Sequence, residues 1–266
     1  MLEFNKIIQG DCLEVMRTLP DACIDLVVTS PPYNLKNSTG NGMKANTRCG
    51  KWAGAALKNG YDKHSDCMPN DEYVVWQRNC LSEMLRLIPD DGAIFYNHKW
   101  RVQDGLLQDR QDIVSGFPVR QIIIWRRKGG INFNPGYFLP TYEVIYIIAK
   151  PKFKLVPKAN AVGDVWEFTQ DMNNSHPAPF PVDLIDRIIA STSAKTVLDP
   201  FIGSGTTAIA SIMNNRNYLG IELSTEYIKM AKDRIAQFNN LQKTIEKIEV
   251  NNGTKRTNRR RKKQMA

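Results

Sequence analysis

Two successive prolines directly after an apolar run are the strongest constraint on the fold of this chain. The run covers residues 24–28 and leads into Thr-Ser-Pro-Pro-Tyr-Asn at positions 29–34. Each proline fixes its φ angle and lacks a backbone N–H, so a strand formed by the run must end there. A stiff turn follows, with a hydroxyl group before it and an aromatic ring after it. Open α/β sheets place their sites at such strand ends; an ordinary strand stop is the alternative.

A second apolar run ends in a glycine-rich turn near the other end of the sequence. Val-Leu-Asp-Pro-Phe-Ile-Gly-Ser-Gly-Thr-Thr occupies residues 197–207, and a helix is predicted directly after it. The glycines let the backbone approach a ligand, and the helix start presents free N–H groups. Glu222 ends the next predicted strand, at a spacing that suits ribose hydroxyls. Because no P-loop Gly-Lys-Ser/Thr follows, a neutral or cationic nucleoside cofactor is expected.

Strand-like and helix-like segments alternate along the chain. This alternation predicts a doubly wound, mostly parallel α/β sheet. Residues 151–175 are expected to form a short irregular segment. Strands are predicted at 5–10, 24–29, 93–97, 119–126, 143–149, 196–199 and 217–221, and helices at 13–19, 71–87, 102–115, 181–191, 207–214 and 225–248, the last with a break near 239–240.

Length and charge bound the domain organisation. The 266 residues, 42% of them hydrophobic, suit a single α/β domain over residues 1–250. Residues 35–70 are rich in Asn, Gly and Lys and are predicted to form a long mobile loop. Residues 251–266 form a basic tail that is predicted to be disordered. The net charge of +9 favours a polyanionic partner.

Cysteine usage and hydropathy give three further expectations. No secretory signal precedes the five cysteines, so a reducing cytoplasm is the expected location. No apolar run is long enough to cross a bilayer, so no membrane partner is expected. The spacing of Cys49, Cys67 and His64 matches no compact metal-binding pair, so no metal site is expected.

Together the two turns resemble a known family. Ser-Pro-Pro-Tyr at residues 30–33 and Asp-Pro-Phe-x-Gly-Ser-Gly-Thr-Thr at residues 199–207 are similar to motifs IV and I of the S-adenosylmethionine-dependent DNA amino-methyltransferases. Their order resembles the circularly permuted β-group of N4-cytosine and N6-adenine enzymes, over residues 5–236. The resemblance implies a Rossmann-like methyltransferase fold, S-adenosyl-L-methionine as the cofactor, and double-stranded DNA with a flipped target base as the partner.

The chemistry of an amino group explains the first motif. The nitrogen lone pair is delocalised into the base, so a site must accept the amino hydrogens and favour a tetrahedral nitrogen. The Ser30 hydroxyl and the Pro31 carbonyl are suitable acceptors, and Tyr33 would stack on a base flipped out of the duplex. None of the five cysteines follows a proline, which disfavours C5-cytosine methylation. The predicted catalytic residues are Ser30, Pro31, Pro32 and Tyr33.

The resemblance also implies a cofactor pocket on the glycine turn. Glu222 would bind the ribose hydroxyls and Asp11 the adenine, although a helix N-cap is an alternative role for Asp11. Residues 176–181 look like motif X, which packs on the methionine end of the cofactor. The predicted cofactor-binding residues are Asp11, Cys12, Phe180, Pro181, Asp199, Phe201, Gly203, Gly205, Thr206, Thr207 and Glu222.

DNA contacts are expected from a basic loop and from the basic tail. Target recognition is expected within residues 150–175, a segment shorter than in larger relatives. Relaxed specificity, DNA reading by the 35–70 loop, or a homodimer in which a second subunit contributes therefore all remain open. The predicted DNA-binding residues are Lys128, Phe133, Arg259, Arg260 and Arg261.

The target base and the activity itself have alternatives. In the family, Ser before Pro-Pro-Tyr is commoner among N4-cytosine enzymes, so cytosine N4 is slightly favoured. This favours a site-specific N4-cytosine methyltransferase. Asn34 after the tyrosine is familiar from adenine enzymes, so N6-adenine methylation of DNA remains the alternative. A non-catalytic DNA-binding protein that retains the fold is an alternative of another class, against which the intact Ser30, Tyr33 and Gly203 argue. Methylation of RNA or of a protein amide also stays open.

Overall fold

The computed structural model of the chain describes residues 2–34, 68–103, 105–127, 132, 134–169 and 180–264, with side chains up to residue 245. Its strands are β1 (Lys6–Gln9), β2 (Leu26–Thr29), β3 (Ala93–His98), β4 (Arg101–Gln103), β5 (Leu106–Gln108), β6 (Val119–Arg126), β7 (Tyr142–Ala149), β8 (Val165–Glu167), β9 (Thr196–Asp199) and β10 (Asn217–Glu222). Its helices are α1 (Cys12–Thr18), α2 (Asn70–Leu87), α3 (Gln111–Val114), α4 (Val182–Ala190), α5 (Thr206–Met213) and α6 (Thr225–Gln264).

Among the described residues, eight strands form one sheet in the order β1-β10-β9-β2-β3-β7-β6-β8. The first five of these strands are parallel to one another. β7 is antiparallel to both of its neighbours, and β8 pairs in parallel with β6. The predicted doubly wound, mostly parallel α/β sheet is therefore confirmed. The strand that carries the glycine turn, β9, lies inside the sheet although it comes late in the chain, as the permuted motif order requires.

Alternate residues of the central strands bury opposite faces of the sheet, because successive strand side chains point to opposite sides. Val27 packs in one apolar cluster with Met84 of α2. Its neighbours Leu26 and Val28 pack in another cluster with Ile188 of α4. Helices thus cover both faces of the sheet. The continuous apolar run of β2 is explained by this burial on both sides.

A helix predicted over residues 102–115 is wrong. β4 and β5 form an antiparallel hairpin there, and only the four residues of α3 are helical. Gly105 has a φ of 78° in the hairpin turn, and Arg110, directly before α3, has a φ of 64°. Both values lie in the left-handed region, which a right-handed helix cannot contain.

Two further expectations differ from the structure. The segment 151–175, expected to be irregular, contributes the short strand β8 to the edge of the sheet, and its residues 170–175 lie outside the described chain. The tail, expected to be disordered after residue 250, continues α6 as helix to Gln264 without a break near 239–240. Lys and Arg are good helix formers, and positive charge is favourable near a helix C-terminus.

Candidate active site

The two sequence motifs meet at the switch point of the sheet. From β9 the chain crosses through α5 to β10 on one side, whereas from β2 it crosses through α2 to β3 on the other. β2 and β9 are themselves adjacent and parallel. The proline turn and the glycine turn therefore follow the carboxyl ends of neighbouring parallel strands, on the same side of the sheet. In open α/β sheets this crevice, beyond the carboxyl ends of the strands, is where ligands bind.

Asp199 joins the two turns by hydrogen bonds. Its Oδ1 accepts a hydrogen from the Thr29 hydroxyl at 2.8 Å and from the Phe201 backbone N–H at 3.1 Å. Its Oδ2 accepts from the Thr207 hydroxyl at 2.6 Å. Burial raises the pKa of Asp199 to about 6, although these three hydrogen bonds favour the ionised form. A buried carboxylate is thus held between β2, β9 and the start of α5.

The glycine turn allows a close approach of the backbone to its surroundings. Gly203 and Gly205 have φ values of 49° and 84°. A Cβ on Gly205 would lie 3.0 Å from the Cβ of Ala231 and 3.2 Å from its Cα, closer than ordinary van der Waals contact. Glu222 bridges the turn and the end of β10: its Oε2 accepts from the Gly203 N–H at 3.0 Å, and its Oε1 from the Ser224 N–H at 2.9 Å.

The structure therefore brings one group of the predicted cofactor residues together around this turn. Phe201, which is partly buried, lies edge-on to Trp76 with ring centroids 5.7 Å apart. Thr206 and Thr207 open α5 and are buried. The members of this group are Asp199, Phe201, Gly203, Gly205, Thr206, Thr207 and Glu222.

Asp11 and Cys12 lie at the neighbouring edge strand, and their side chains have structural contacts. The Gly10 N–H donates to the backbone oxygen of Glu222 at 3.1 Å, which sets this segment beside the end of β10. Asp11 is the N-cap of α1, and its Oδ1 accepts from the N–H groups of Leu13 and Glu14. The Cys12 thiol is buried 3.7 Å from the thiol of Cys80. A contact of either side chain with the cofactor stays a prediction.

Phe180 and Pro181 precede α4 on the other side of the sheet. The Phe180 ring lies 6.1 Å from that of Trp125 on β6. Pro181 is the N-cap of α4, and its carbonyl accepts from the Leu184 N–H at 3.2 Å. The preceding residues of the predicted motif, 176–179, lie outside the described chain. A contact of Phe180 or Pro181 with the cofactor stays a prediction.

The proline turn ends in a buried polar cluster formed by Ser30, Tyr33, Asn97, Glu143 and Arg127. The Ser30 and Tyr33 hydroxyl oxygens are 2.5 Å apart. The Tyr33 hydroxyl donates to Glu143 Oε2 at 2.9 Å. Asn97 Nδ2 donates to the Tyr33 oxygen at 2.5 Å and to Glu143 Oε2 at 2.7 Å, and lies 3.4 Å from Ser30 Oγ. Arg127 Nη1 forms an ion pair with Glu143 Oε1 at 3.2 Å.

A second set of contacts fixes the backbone of the turn. The Tyr73 hydroxyl donates to the Pro32 carbonyl at 2.7 Å and lies 2.8 Å from Nε2 of His98. Burial, with a smaller contribution from nearby Arg110, lowers the pKa of His98 well below its ordinary value, so the imidazole is neutral at pH 7. Tyr33 packs against His98 with ring centroids 5.0 Å apart and is only 4% exposed. Stacking of a base on Tyr33 thus requires the surface over the ring to open.

Asn97 and Glu143 are site residues that the sequence reasoning missed. Asn97 stands near the end of the apolar strand β3, and Glu143 stands at the beginning of β7. Because β7 is antiparallel to β3, its beginning lies beside the end of β3. A polar residue at the end of one buried strand and an acidic residue at the start of another were the available signal. The antiparallel pairing that makes them neighbours was not available.

Several predicted residues fall where side chains are not described. Lys128, Phe133 and most of the 35–70 loop lie outside the described residues. Residues 259–261 lie on the helical backbone of α6. Within the described part of the chain, no group of three or more His, Cys, Asp or Glu residues could hold a metal ion. No helix there is both long and apolar enough to cross a membrane.

Comparisons with known proteins agree with this arrangement. A family model described as "DNA methylase" matches residues 24–233. The type II methyltransferase M2.MboI of Moraxella bovis is 30% identical, over 87% of both chains. The type II methyltransferase M.BglII of Bacillus subtilis is 29% identical, over 85% of this chain and 68% of its own length. The solved structure of a DNA modification methylase from Thermus thermophilus, TTHA0409, complexed with S-adenosyl-L-methionine, is 26% identical with a TM-score of 0.62, covering 87% of this chain and 95% of that one.

Proposed function

The chain belongs to the family of S-adenosylmethionine-dependent DNA methylases that act on cytosine N4 or adenine N6, and we propose that it methylates cytosine N4 at specific sites in double-stranded DNA. One observation supports methyl transfer to an amino group: the Ser30 turn and the Asp199 turn lie on adjacent strands and are joined by the 2.8 Å hydrogen bond from Thr29 to Asp199. The proposed acceptor for amino hydrogens and the proposed pocket for the methyl donor would therefore lie next to each other.

The residues around the glycine turn fit the cofactor. Asp199 and Glu222 supply two carboxylates, and the remaining predicted residues are small, apolar or hydroxyl-bearing. Such a set suits a ligand that has a sulfonium, an ammonium and ribose hydroxyls but carries no phosphate. The left-handed φ of Gly203 supports an approach of the backbone to the ligand, while the lack of a Cβ at Gly205 lets α6 pack against the turn at Ala231. When bound, the cofactor supplies the electrophilic methyl group.

The proline turn would receive the target base. The amino nitrogen of a base must lose the conjugation of its lone pair before it can attack, and preorganised acceptors for its hydrogens favour this change. Ser30 is half-buried in the turn, which the hydrogen bond from Tyr73 to Pro32 holds in place. We assign Ser30 Oγ and the Pro31 carbonyl as these acceptors. A duplex hides the amino group, so the base must be flipped into the site.

Ser30 supports cytosine as the target, because the resemblance associates serine at this position with N4-cytosine enzymes. Adenine N6 is the second candidate, and Asn34 favours it. Asn34 is buried beside the site, where its Nδ2 donates to the Met68 carbonyl at 2.8 Å and its backbone carbonyl accepts from Arg101 Nη1 at 2.8 Å. The two amino groups present similar geometry to an acceptor, so product analysis decides between them.

The test is a product analysis after methyl transfer. The protein is incubated with labelled S-adenosylmethionine and unmethylated DNA, the DNA is digested to nucleosides, and these are separated by retention and mass. We expect N4-methylcytosine. N6-methyladenine would replace cytosine by adenine as the target, and the absence of any methylated nucleoside would refute the enzymatic function. Ser30→Ala should reduce product formation while cofactor binding is retained; full activity of that variant would refute its role as acceptor.

A further inference from the structure

We propose that Glu143 and Asn97 are positioning residues, which hold the Ser30 hydroxyl as a hydrogen-bond acceptor toward the target amino group. The inference rests on the proposed function, since Ser30 has the role of acceptor there. Neither residue belongs to the two motifs, and both are buried, at 4% and 1% exposure. Their effect on Ser30 follows from counting the hydrogens in the cluster.

Glu143 sets the direction of the hydrogen bonds. Its Oε1 forms the ion pair with Arg127, and a carboxylate in such a pair can only accept hydrogens. Its Oε2 therefore receives the hydroxyl hydrogen of Tyr33 at 2.9 Å and a hydrogen from Asn97 Nδ2 at 2.7 Å. Because the carboxylate is buried, water does not compete for these bonds.

The hydrogen bond from Tyr33 to Glu143 also determines the direction of the hydrogen bond between Tyr33 and Ser30. A phenol has one hydroxyl hydrogen, and that of Tyr33 is directed at Glu143. Within the cluster the Tyr33 oxygen can then only accept, so it accepts from Asn97 Nδ2 and from Ser30. The Ser30 hydrogen thus points into the cluster. Its remaining lone pairs are presented away from Tyr33, as the acceptance of an amino hydrogen requires.

Asn97 keeps its orientation for the same reason. Its two amide hydrogens point to Tyr33 and Glu143, which are acceptors. A flipped amide would set Asn97 Oδ1 against the carboxylate oxygen and would lose both bonds. In the present orientation Oδ1 is buried and has no hydrogen-bond partner among the described residues. The orientation is therefore decided by the carboxylate of Glu143.

A Glu143→Gln substitution should reverse this direction with little change in shape. The amide oxygen would stay with Arg127, because an NH₂ group facing a guanidinium would set donor against donor. The amide nitrogen would then donate to Tyr33, and the Asn97 amide would flip so that its oxygen rather than its Nδ2 faces that nitrogen. The Tyr33 hydrogen, which no carboxylate then accepts, would turn toward Ser30. Ser30 would in turn direct its hydrogen at the target amino group. The acceptor would have become a donor.

The test is a double-mutant cycle on single-turnover methyl transfer from labelled S-adenosylmethionine to DNA. We expect Glu143→Gln to lower the transfer rate by about 10- to 100-fold, the range for one misdirected active-site hydrogen bond. Binding of the cofactor and of DNA should stay within about twofold of the unsubstituted protein, since neither depends on the Ser30 hydrogen. In a Ser30→Ala background, the same substitution should cost almost nothing further, because its effect passes through Ser30.

A matched control is Glu83→Gln on α2. It also removes a carboxylate from an arginine pair, with Arg86 at 2.8 Å, but lies outside the cluster. Its transfer rate should equal that of the unsubstituted protein. Multiplicative losses for Glu143→Gln and Ser30→Ala would overturn the positioning role, as would full activity of Glu143→Gln. Full activity of Ser30→Ala would instead contradict the acceptor role of Ser30, and the absence of any methylated nucleoside would contradict the proposed function.

We infer a second feature from a different observation: Phe138 is a wedge that inserts into the DNA duplex when the target base leaves it. Phe138 is 98% exposed and is the one exposed aromatic side chain among the described residues. It lies in the connection from β6 to β7, at the end of these strands where Glu143 begins β7. Apolar wedges of this kind stabilise unstacked base steps.

The turn before Phe138 is held in a fixed shape. Asn132 Nδ2 donates to the Tyr137 carbonyl at 2.6 Å, and the Gly136 N–H donates to Asn134 Oδ1 at 2.8 Å. Packing among the described residues does not explain an ordered turn that presents a fully exposed phenyl ring. Duplex DNA, the substrate of the family, offers the ring the apolar space between base pairs.

The wedge is tested by a size series at this position. Phe138→Ala and Phe138→Ser should lower the rate of methyl transfer to duplex DNA by about tenfold or more, because nothing then fills the unstacked step. Phe138→Leu and Phe138→Trp should retain most of the rate. Met213→Ala is the control, since Met213 is 40% exposed at the C-terminal end of α5, the end away from the glycine turn. Equal rates for the alanine and leucine variants, whether both normal or both impaired, would refute the wedge.

Discussion

Replacing Asp199 by Asn should stabilise the protein without its cofactor, and should do so only above a particular pH. Burial raises the pKa of this carboxyl group from 3.8 to about 6. The shift corresponds to about 3 kcal/mol between the two protonation states. Because the pKa in the folded state lies above that in the unfolded state, the protonated carboxyl group makes its full contribution to the free energy of unfolding below pH 3.8. It is lost as the pH rises through about 6.

At pH 8 the ionised carboxylate therefore costs the folded state about 3 kcal/mol, and asparagine removes that cost. The amide can keep its oxygen toward Thr29 and the Phe201 N–H and can donate to the Thr207 hydroxyl. We expect the variant to be more stable by about 1 to 3 kcal/mol at pH 8, allowing for imperfect pairing of the new NH₂ group. Near pH 4 the two proteins should differ little.

The assay is urea unfolding at pH 4, 5, 6, 7 and 8 in the absence of cofactor, with the difference in free energy of unfolding plotted against pH. Asp25→Asn is a suitable control, because that carboxylate accepts the backbone N–H groups of Lys195 and Thr196 at the other end of β9. It should destabilise the protein. A loss of stability in Asp199→Asn at every pH would refute the reasoning, since Asp199 would then act as a simple acceptor.

The negative charge of Asp199, which lowers the stability of the folded protein, should increase its affinity for the cofactor. The ionised Asp199 favours a ligand with positive charge, so the affinity of the unsubstituted protein should rise as the pH passes through about 6. The asparagine variant should bind more weakly and without this rise. Titration calorimetry across the same pH range measures both.

Two other predictions concern the glycine turn and the tail. Gly205→Ala should destabilise the fold by about 2 to 4 kcal/mol, because strain at positive φ adds to the contact with Ala231; Gly105→Ala, with a φ of 78° but no atom within 4 Å, should cost only the strain, about 1 kcal/mol. Equal losses of stability in the two variants, measured by thermal unfolding, would contradict this expectation. Deletion of residues 251–266 should weaken DNA binding and flatten its dependence on salt, because phosphate contacts release counterions; an unchanged slope of affinity against salt would exclude the tail as a DNA contact.

The main outline of the fold could be predicted because its signals are local. Apolar runs that end at prolines or at a glycine turn identified β2 and β9, and their order in the chain identified the permuted sheet. The hairpin β4–β5 was mistaken for a helix because the left-handed φ of Gly105 and Arg110 is visible only in three dimensions.

The candidate site was predictable only as far as its motifs extend. Ser30 and Asp199 stand in recognisable stretches of sequence. Asn97 and Glu143 are single polar residues, and they become neighbours through the pairing of β3 with β7. Burial then decides the energetics: the same glutamate on a surface would be an ordinary ion-pair partner, whereas here its contacts cannot be replaced by water.

The position of β9 inside the sheet has a consequence for the synthesis of the protein. β1 pairs with β10, and Asn5 accepts a hydrogen bond from the N–H of Tyr218, 213 positions later. β2 likewise meets β9 only after most of the chain has left the ribosome. During synthesis β1 therefore has no partner strand until β10 has left the ribosome. Such pairing between distant segments slows folding. A chain that stops before β9 lacks an interior strand of the sheet and the glycine turn. Such truncated chains should therefore have no methyl-transfer activity on DNA, rather than reduced activity.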